Sequence, residues 1–203
     1  MISTPEECVA FVNEVGLCAW SPGTPLPSVA ENTPWGDQAM LHTWFWKDDL
    51  HIEKRLYYGQ LWGAGTPVFV SLELLPTLIA AQGDCDPRDL YEKNRLTRVA
   101  LTLCEHIEAQ GPCAKKSLPY PPNTSQTPPL VQLQQHFLIT KVGLTGRGRG
   151  TYGYLWGSCS GFFPDAFAQA SRLGVAAARQ QLAQRTTLSE ALLQKSLRWQ
   201  RLD

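Results

Sequence analysis

No stretch of this 203-residue chain reaches the roughly 18 uninterrupted apolar residues that a membrane-spanning helix requires. The nearest run, Val68 to Ala81, is broken by Ser71, Glu73 and Pro76. A basic leader followed by an apolar run is also lacking, which argues against a secretory signal. The expectation is a soluble, cytoplasmic protein with no membrane partner. C-x-x-C pairs are missing too: the six cysteines stand singly at Cys8, Cys18, Cys85, Cys104, Cys113 and Cys159. That spacing excludes a zinc ribbon and a dithiol redox motif, leaving reduced, mostly buried, small apolar side chains as the expectation. Histidine is scarce, and His42, His51, His106 and His136 never fall at metal-ligand spacing, so neither a metal nor a cofactor is expected.

Two fragments imitate catalytic motifs and lack their context. Gly148-Arg149-Gly150-Thr151-Tyr152-Gly153 spells G-x-G-x-x-G but precedes a strand instead of opening a helix, so it is no dinucleotide loop. Gly157-Ser158-Cys159-Ser160-Gly161 imitates a nucleophile elbow, yet no histidine follows it to activate the thiol.

Net charge is zero, but it is unevenly laid out. Residues 1–110 carry 7 basic and 15 acidic side chains, whereas residues 111–203 carry 11 and 3, balances of −8 and +8. Such asymmetry points to nucleic-acid contact by the basic half, or to two halves that neutralise each other within or between chains.

Along the chain, Thr4, Pro5 and Glu7 form a capping box that opens a helix closed by Gly16. Leu17 to Trp20 reads as a short strand. Residues 35–62 then hold 7 of the 20 aromatics, namely Trp35, Trp44, Phe45, Trp46, Tyr57, Tyr58 and Trp62. The spacing from Glu53 to Trp62 predicts a helix, Val68–Leu72 a strand, and Glu73–Gln82 a helix. Asp86-Pro87 starts another helix, and an amphipathic one follows over about 97–110. Five prolines between Cys113 and Pro129 leave room for one turn over Cys113–Ser117. A short helix over 130–136, a strand over 137–143, a glycine- and arginine-rich tip and a returning strand over 151–156 complete the order helix, loop, helix, hairpin. That is the order of a winged helix. Thr187 and Glu190 predict a capping box for a final helix. The fold class expected is α+β, mostly helical, with winged-helix-like units and a small β-hairpin wing. Residues 1–94 would form an aromatic-rich unit, itself a degenerate winged helix, packed as one body with a winged-helix-like unit and C-terminal helices over 95–203.

The runs Thr43-Trp-Phe-Trp-Lys-Asp-Asp-Leu50, Lys54-Arg-Leu-Tyr-Tyr-Gly59 and Ser71-Leu-Glu-Leu-Leu-Pro76 resemble the AlkZ-related family, small relatives of the bacterial AlkZ and YcaQ DNA glycosylases. The strand from Phe137 after a Leu/Gln-rich helix is similar as well. The resemblance implies winged-helix architecture and association with DNA repair. The glycosylases carry Gln-apolar-Gln or Gln-apolar-Asp in their N-terminal part, but Leu17 to Val29 of this chain contains no glutamine. Gln132-Leu133-Gln134 has the right letters in a recognition-helix position, where such side chains face solvent or DNA. No catalytic residue is therefore carried over, and a non-catalytic protein is expected.

Two constellations remain as candidates. Arg147, Arg149, Lys141, Lys115 and Lys116 form a basic set able to meet the phosphates of double-stranded DNA, or else a solvated hairpin tip. Trp44, Trp46, Asp48 and Asp49 either frame a pocket for a stacked base beside a carboxylate or form a core cluster. In the second case the aspartates cap a helix or pair with Lys54 and Arg55. A nucleobase-acting enzyme and a self-associating interaction module are the alternatives to DNA binding.

Overall fold

The computed structural model describes residues 1–34, 39–83 and 85–199; Trp35 and the side chains of His42 and Thr43 lie outside that description. The chain begins with α1 (Pro5–Val15), β1 (Leu17–Ala19), a 3-10 turn (Ala30–Asn32), α2 (Ala39–Ile52) and the hairpin β2 (Tyr57–Trp62) and β3 (Thr66–Val70). Two helices follow, α3 (Leu75–Gln82) and α4 (Pro87–Glu92). The opening order then recurs: α5 (Arg98–Gln110), β4 (Cys113–Ala114), a 3-10 turn (Lys115–Ser117), α6 (Thr127–Gln135) and the hairpin β5 (Ile139–Gly146) and β6 (Gly153–Ser158). The chain closes with α7 (Cys159–Phe162), α8 (Pro164–Ala170), α9 (Val175–Thr186) and α10 (Glu190–Ser196). The fold is α+β.

Each repeat carries a three-stranded antiparallel sheet in which the last strand lies at the centre, β1-β3-β2 and β4-β6-β5. The two also stop their second helix in the same way. After α2, Lys54 adopts φ 55° and the amides of Arg55 and Leu56 return to Leu50 O at 2.8 and 3.1 Å. After α6, Phe137 adopts φ 53° and the amide of Leu138 returns to Leu133 O at 3.0 Å. A left-handed residue at this point ends the helix and turns the chain into a hairpin.

The repeats grip each other reciprocally, α2 packing on β5 and α6 on β2. The C-terminal helices α8 and α9 pack on α3. Accordingly, the largest apolar core joins Leu17, Tyr57, Val70 and Leu78 to Phe137, Phe163, Leu182 and Leu193. A second core lies around Leu103, Leu133 and Trp156, and a third unites Cys8 and Val12 of α1 with Trp46, Leu50 and Phe69.

Much of the local reading holds. The Thr4–Glu7 capping box is formed in both directions, Asp86 caps α4, and one 3-10 turn is all that stands over Lys115–Ser117. Three expectations are corrected. Residues 57–62 are a strand and not a helix, because the left-handed stop at Lys54 ends the helix earlier and Tyr57–Trp62 is buried on both faces. The final helix is capped by Ser189, whose hydroxyl accepts from the Leu192 amide at 3.3 Å. Thr187 instead takes the left-handed position that ends α9. Gln134 does not face outward: it is buried, accepts from the Gln60 amide and donates to Gln60 Oε1, both at 3.2 Å. Once α6 lies against β2, this glutamine satisfies strand groups that the repeat interface removes from water.

Cys8, Cys18, Cys104 and Cys159 are buried thiols outside any disulfide. Burial holds the Cys159 thiol well above its usual range, which disposes of the elbow-like sequence around it.

Candidate functional site

Where the two repeats meet, a cavity of about 610 Å³ opens. Tyr58, Gln60 and Pro67 reach it from the first hairpin, and Lys141, Tyr154 and Trp156 from the second. Trp44 and Lys47 of α2 form one side, and Thr127 and Leu130 of α6 another. Lys115 and Lys116 stand on the turn after β4, and the backbone of Gly150 and Gly153 with Thr145 and Thr151 brings the hairpin end to its edge.

The aromatic wall follows from strand geometry. Tyr154 and Trp156 are two residues apart on β6, so they project from one face of it, and Tyr152 just before the strand continues the row. Their rings contact edge to face at centroid distances of 5.6 and 5.8 Å. Trp44 is 44% exposed, held edge-on by Trp20 at 6.1 Å with the Lys47 ammonium 4.2 Å from its own ring centre. An exposed indole this well braced offers a stacking surface at small entropic cost.

Lys141 is the least ordinary member. It is 5% exposed, and its Nζ sits 4.0 Å from the Tyr58 ring centre and 4.6 Å from that of Tyr154. Ring faces enclose its Nζ, and no ion pair to it exists among the described residues. Burial pushes its pKa down from 10.5 to about 7; the nearby Asp48 carboxylate opposes the shift and Lys47 adds to it.

Behind the wall lies a polar cluster. Asp48 Oδ2 accepts from Lys47 Nζ at 2.8 Å and from the Tyr152 hydroxyl at 2.6 Å. Since Tyr152 gives its one proton to Asp48, Tyr154 is the donor in their 2.8 Å contact. Asp48 Oδ1 and Trp156 Nε1 are buried without a hydrogen-bond partner among the described residues. His51, fully buried on α2, ties this layer together. Its Nδ1 accepts from the Tyr58 amide at 2.9 Å, which places the imidazole proton on Nε2, facing Lys141 O at 2.8 Å. One ring thus fixes the backbone of two cavity residues that lie on different hairpins. Burial drives the His51 pKa down to about 3, with the Lys141 charge adding to the fall.

The structure sorts the sequence-derived candidates anew. Of the basic set, Lys115, Lys116 and Lys141 reach the cavity. Lys141 is enclosed and so does not belong to an outward phosphate patch, because β5 directs it inward between two tyrosine rings. Arg147 folds back as a bidentate pair onto Asp49, with its guanidinium 5.3 Å from the Phe45 ring centre. It does not project freely from the tip; Arg149 is exposed. Of the aromatic and acidic set, Trp44 alone lines the cavity. Trp46 is buried against α1 and the first sheet, Asp48 is enclosed behind Tyr152, and Asp49 is taken by Arg147. Neither aspartate pairs with Lys54 or Arg55; Arg55 instead meets Glu6 at 3.3 Å. Sequence reasoning singled out none of Lys47, Gln60, Tyr152, Tyr154 or Trp156 as site residues. The two-residue spacing of aromatics after the glycine-rich tip was the available signal.

No metal-holding cluster of histidine, cysteine and carboxylate side chains exists among the described residues, and no helix described is long and apolar enough to cross a membrane. No curated protein and no solved structure matches the chain. The family described as AlkZ related matches it over residues 2–198, nearly its whole length, and the chain belongs to that family.

Proposed function

We propose that this chain is a non-catalytic, DNA-repair-associated protein that binds DNA by holding one unstacked base in the cavity between its repeats. In this reading each repeat is a winged-helix-type unit, the first over residues 1–94 and the second over 95–203 with its added helices. The observation that carries it is the composition of the cavity, five aromatic side chains with four lysines at the meeting of two hairpins. Bases stack on aromatic faces whatever their identity, and lysines at the mouth meet the phosphates on either side. Lys116 is exposed and Lys115 half-buried, its Nζ donating to Thr127 Oγ1 at 3.4 Å, so both stand where a backbone would pass. Family membership favours DNA as the nucleic acid. Binding, not bond cleavage, is favoured by the position of Asp48, whose Oδ2 is occupied by Lys47 and Tyr152 behind the wall.

The phosphate contacts have a direct test. Affinity for a fluorescent oligonucleotide, measured by anisotropy from low to moderate salt, is expected to fall linearly on a log–log plot. The double variant Lys115→Ala/Lys116→Ala should lower the slope by about 1–2, each lost contact contributing roughly 0.7–0.9. Absence of binding at the lowest salt, or an unchanged slope in that variant, refutes the assignment.

A further inference from the structure

The cavity contains an amine as well as a stacking surface. Lys141 lines the cavity and is 5% exposed, its Nζ lying over the rings of Tyr58 and Tyr154, which line it too, with no carboxylate paired to it among the described residues. A lysine kept for structure ordinarily meets an acid or extends into water, and this one does neither. We propose that Lys141 is a nucleophile and that the cavity captures a planar, ring-bearing aldehyde as an imine on its Nζ.

The groups facing the amine come from three elements. Tyr58 on β2 and Tyr154 on β6 cover it with ring faces, while Lys47 and Asp48 on α2 act on it through their charges. Loss of hydration outweighs the attraction of Asp48, and Lys47 repels the ammonium further. The balance leaves the amine with a pKa of about 7. At neutral pH the free-base fraction exceeds that of an ordinary lysine by on the order of a thousandfold. The amine lone pair attacks the aldehyde carbon, and the carbonyl π pair moves to oxygen. The two protons of the attacking amine leave with that oxygen as water, giving the C=N bond with no change of oxidation state. The aromatic walls select a flat ring for the same reason that they suit a base. His51 acts as a positioning residue, since it holds the Lys141 carbonyl and the Tyr58 amide to one ring.

The proposal shares its cavity with the nucleic-acid reading but needs no phosphate and no base, and its test is chosen accordingly. Full-length protein is treated near pH 7.5 with limiting benzaldehyde and sodium cyanoborohydride, which reduces an imine to a stable benzylamine, and the modified site is mapped by peptide mass spectrometry. The expected result is one benzyl group per chain, on Lys141, while exposed Lys54 and Lys195 stay unmodified. The labelling rate at Lys141 should reach half its maximum near pH 7, and Lys141→Arg should abolish the adduct. Benzyl groups spread over exposed lysines with Lys141 unmodified in the wild-type protein overturn the proposal, whether or not the arginine variant folds. Because the probe resembles no nucleotide, a failed oligonucleotide titration does not decide this outcome, and failed labelling does not decide that titration.

Discussion

His51, Lys47 and Asp48 are polar or charged side chains that α2 buries beside the cavity. His51 is neutral in the folded protein down to about pH 3, and burial likewise pushes His136 down to about 4. In the unfolded chain both would bind a proton near pH 6.5. Between these limits the unfolded state holds more protons, so stability rises with pH there and is lost as pH falls from 6.5 towards 3. Urea titrations at pH 7 and pH 5 should show this loss, and His51→Gln should flatten it. A wild-type midpoint equal at the two pH values contradicts the buried, neutral imidazole. Asp48→Ala leaves the Lys47 ammonium enclosed without its carboxylate and should cost about 3–5 kcal/mol, as broken buried pairs do. Replacing both partners, Lys47→Met with Asp48→Leu, should cost clearly less in the same denaturation experiment. If the double variant is as unstable as the single one, the ion pair is not the source of the loss.

At the scale of the element, the strand Tyr57–Trp62 depends on Gly59. A Cβ at this position would lie 2.6 Å from Tyr57 Oη and 2.8 Å from the same ring's edge, and that tyrosine is fully buried. The tyrosine two residues earlier lies over the glycine, which explains a glycine inside a strand. Gly59→Ala is therefore expected to destabilise by about 1–3 kcal/mol in denaturant unfolding, the usual cost of overpacking. A neutral effect would show that the Tyr57 ring is free to move. This strand is also where the sequence misleads. Helices with explicit punctuation were legible: Thr4 with Glu7, Asp86 with Pro87, and Gly111 after α5 all mark their true ends. The end of α2 has no glycine or asparagine, only Lys54 at φ 55°, so the helix-to-strand switch left no local mark. The candidate site was legible in pieces. Trp44, Lys115, Lys116 and Lys141 were marked by residue type. Their convergence, and the inward turn of Lys141, depend on α2 crossing to the opposite hairpin, a long-range packing decision that no window of sequence contains.

For the whole molecule, the repeat explains both the site and the charge layout. Two units of the same strand order exchange helices, α2 onto β5 and α6 onto β2, and the cavity forms between their hairpins. The acidic half meets the basic half there through Asp49 with Arg147 and, at 3.9 Å elsewhere, Glu73 with Arg185. Such exposed pairs contribute little stability. The joint is held instead by apolar burial, with α8 and α9 covering Leu75, Leu78 and Ile79 of α3. Each such side chain contributes about 1.5–3 kcal/mol when buried. A chain ended at Phe163 lacks both helices, uncovers that face and should lose its cooperative thermal transition in calorimetry. A sharp transition in the truncated chain would mean that the repeats hold together without these helices.

The proposed DNA binding depends above all on the cavity receiving an unstacked base. Its most direct measurement is a binding titration that compares a DNA duplex carrying one unpaired base with the fully paired duplex, using wild-type protein and Trp44→Ala. The unpaired base should raise wild-type affinity, and loss of the indole should weaken binding to that duplex by about 1–3 kcal/mol, the usual contribution of one base-stacking side chain. Equal affinity for the two duplexes, unchanged by Trp44→Ala, would contradict it.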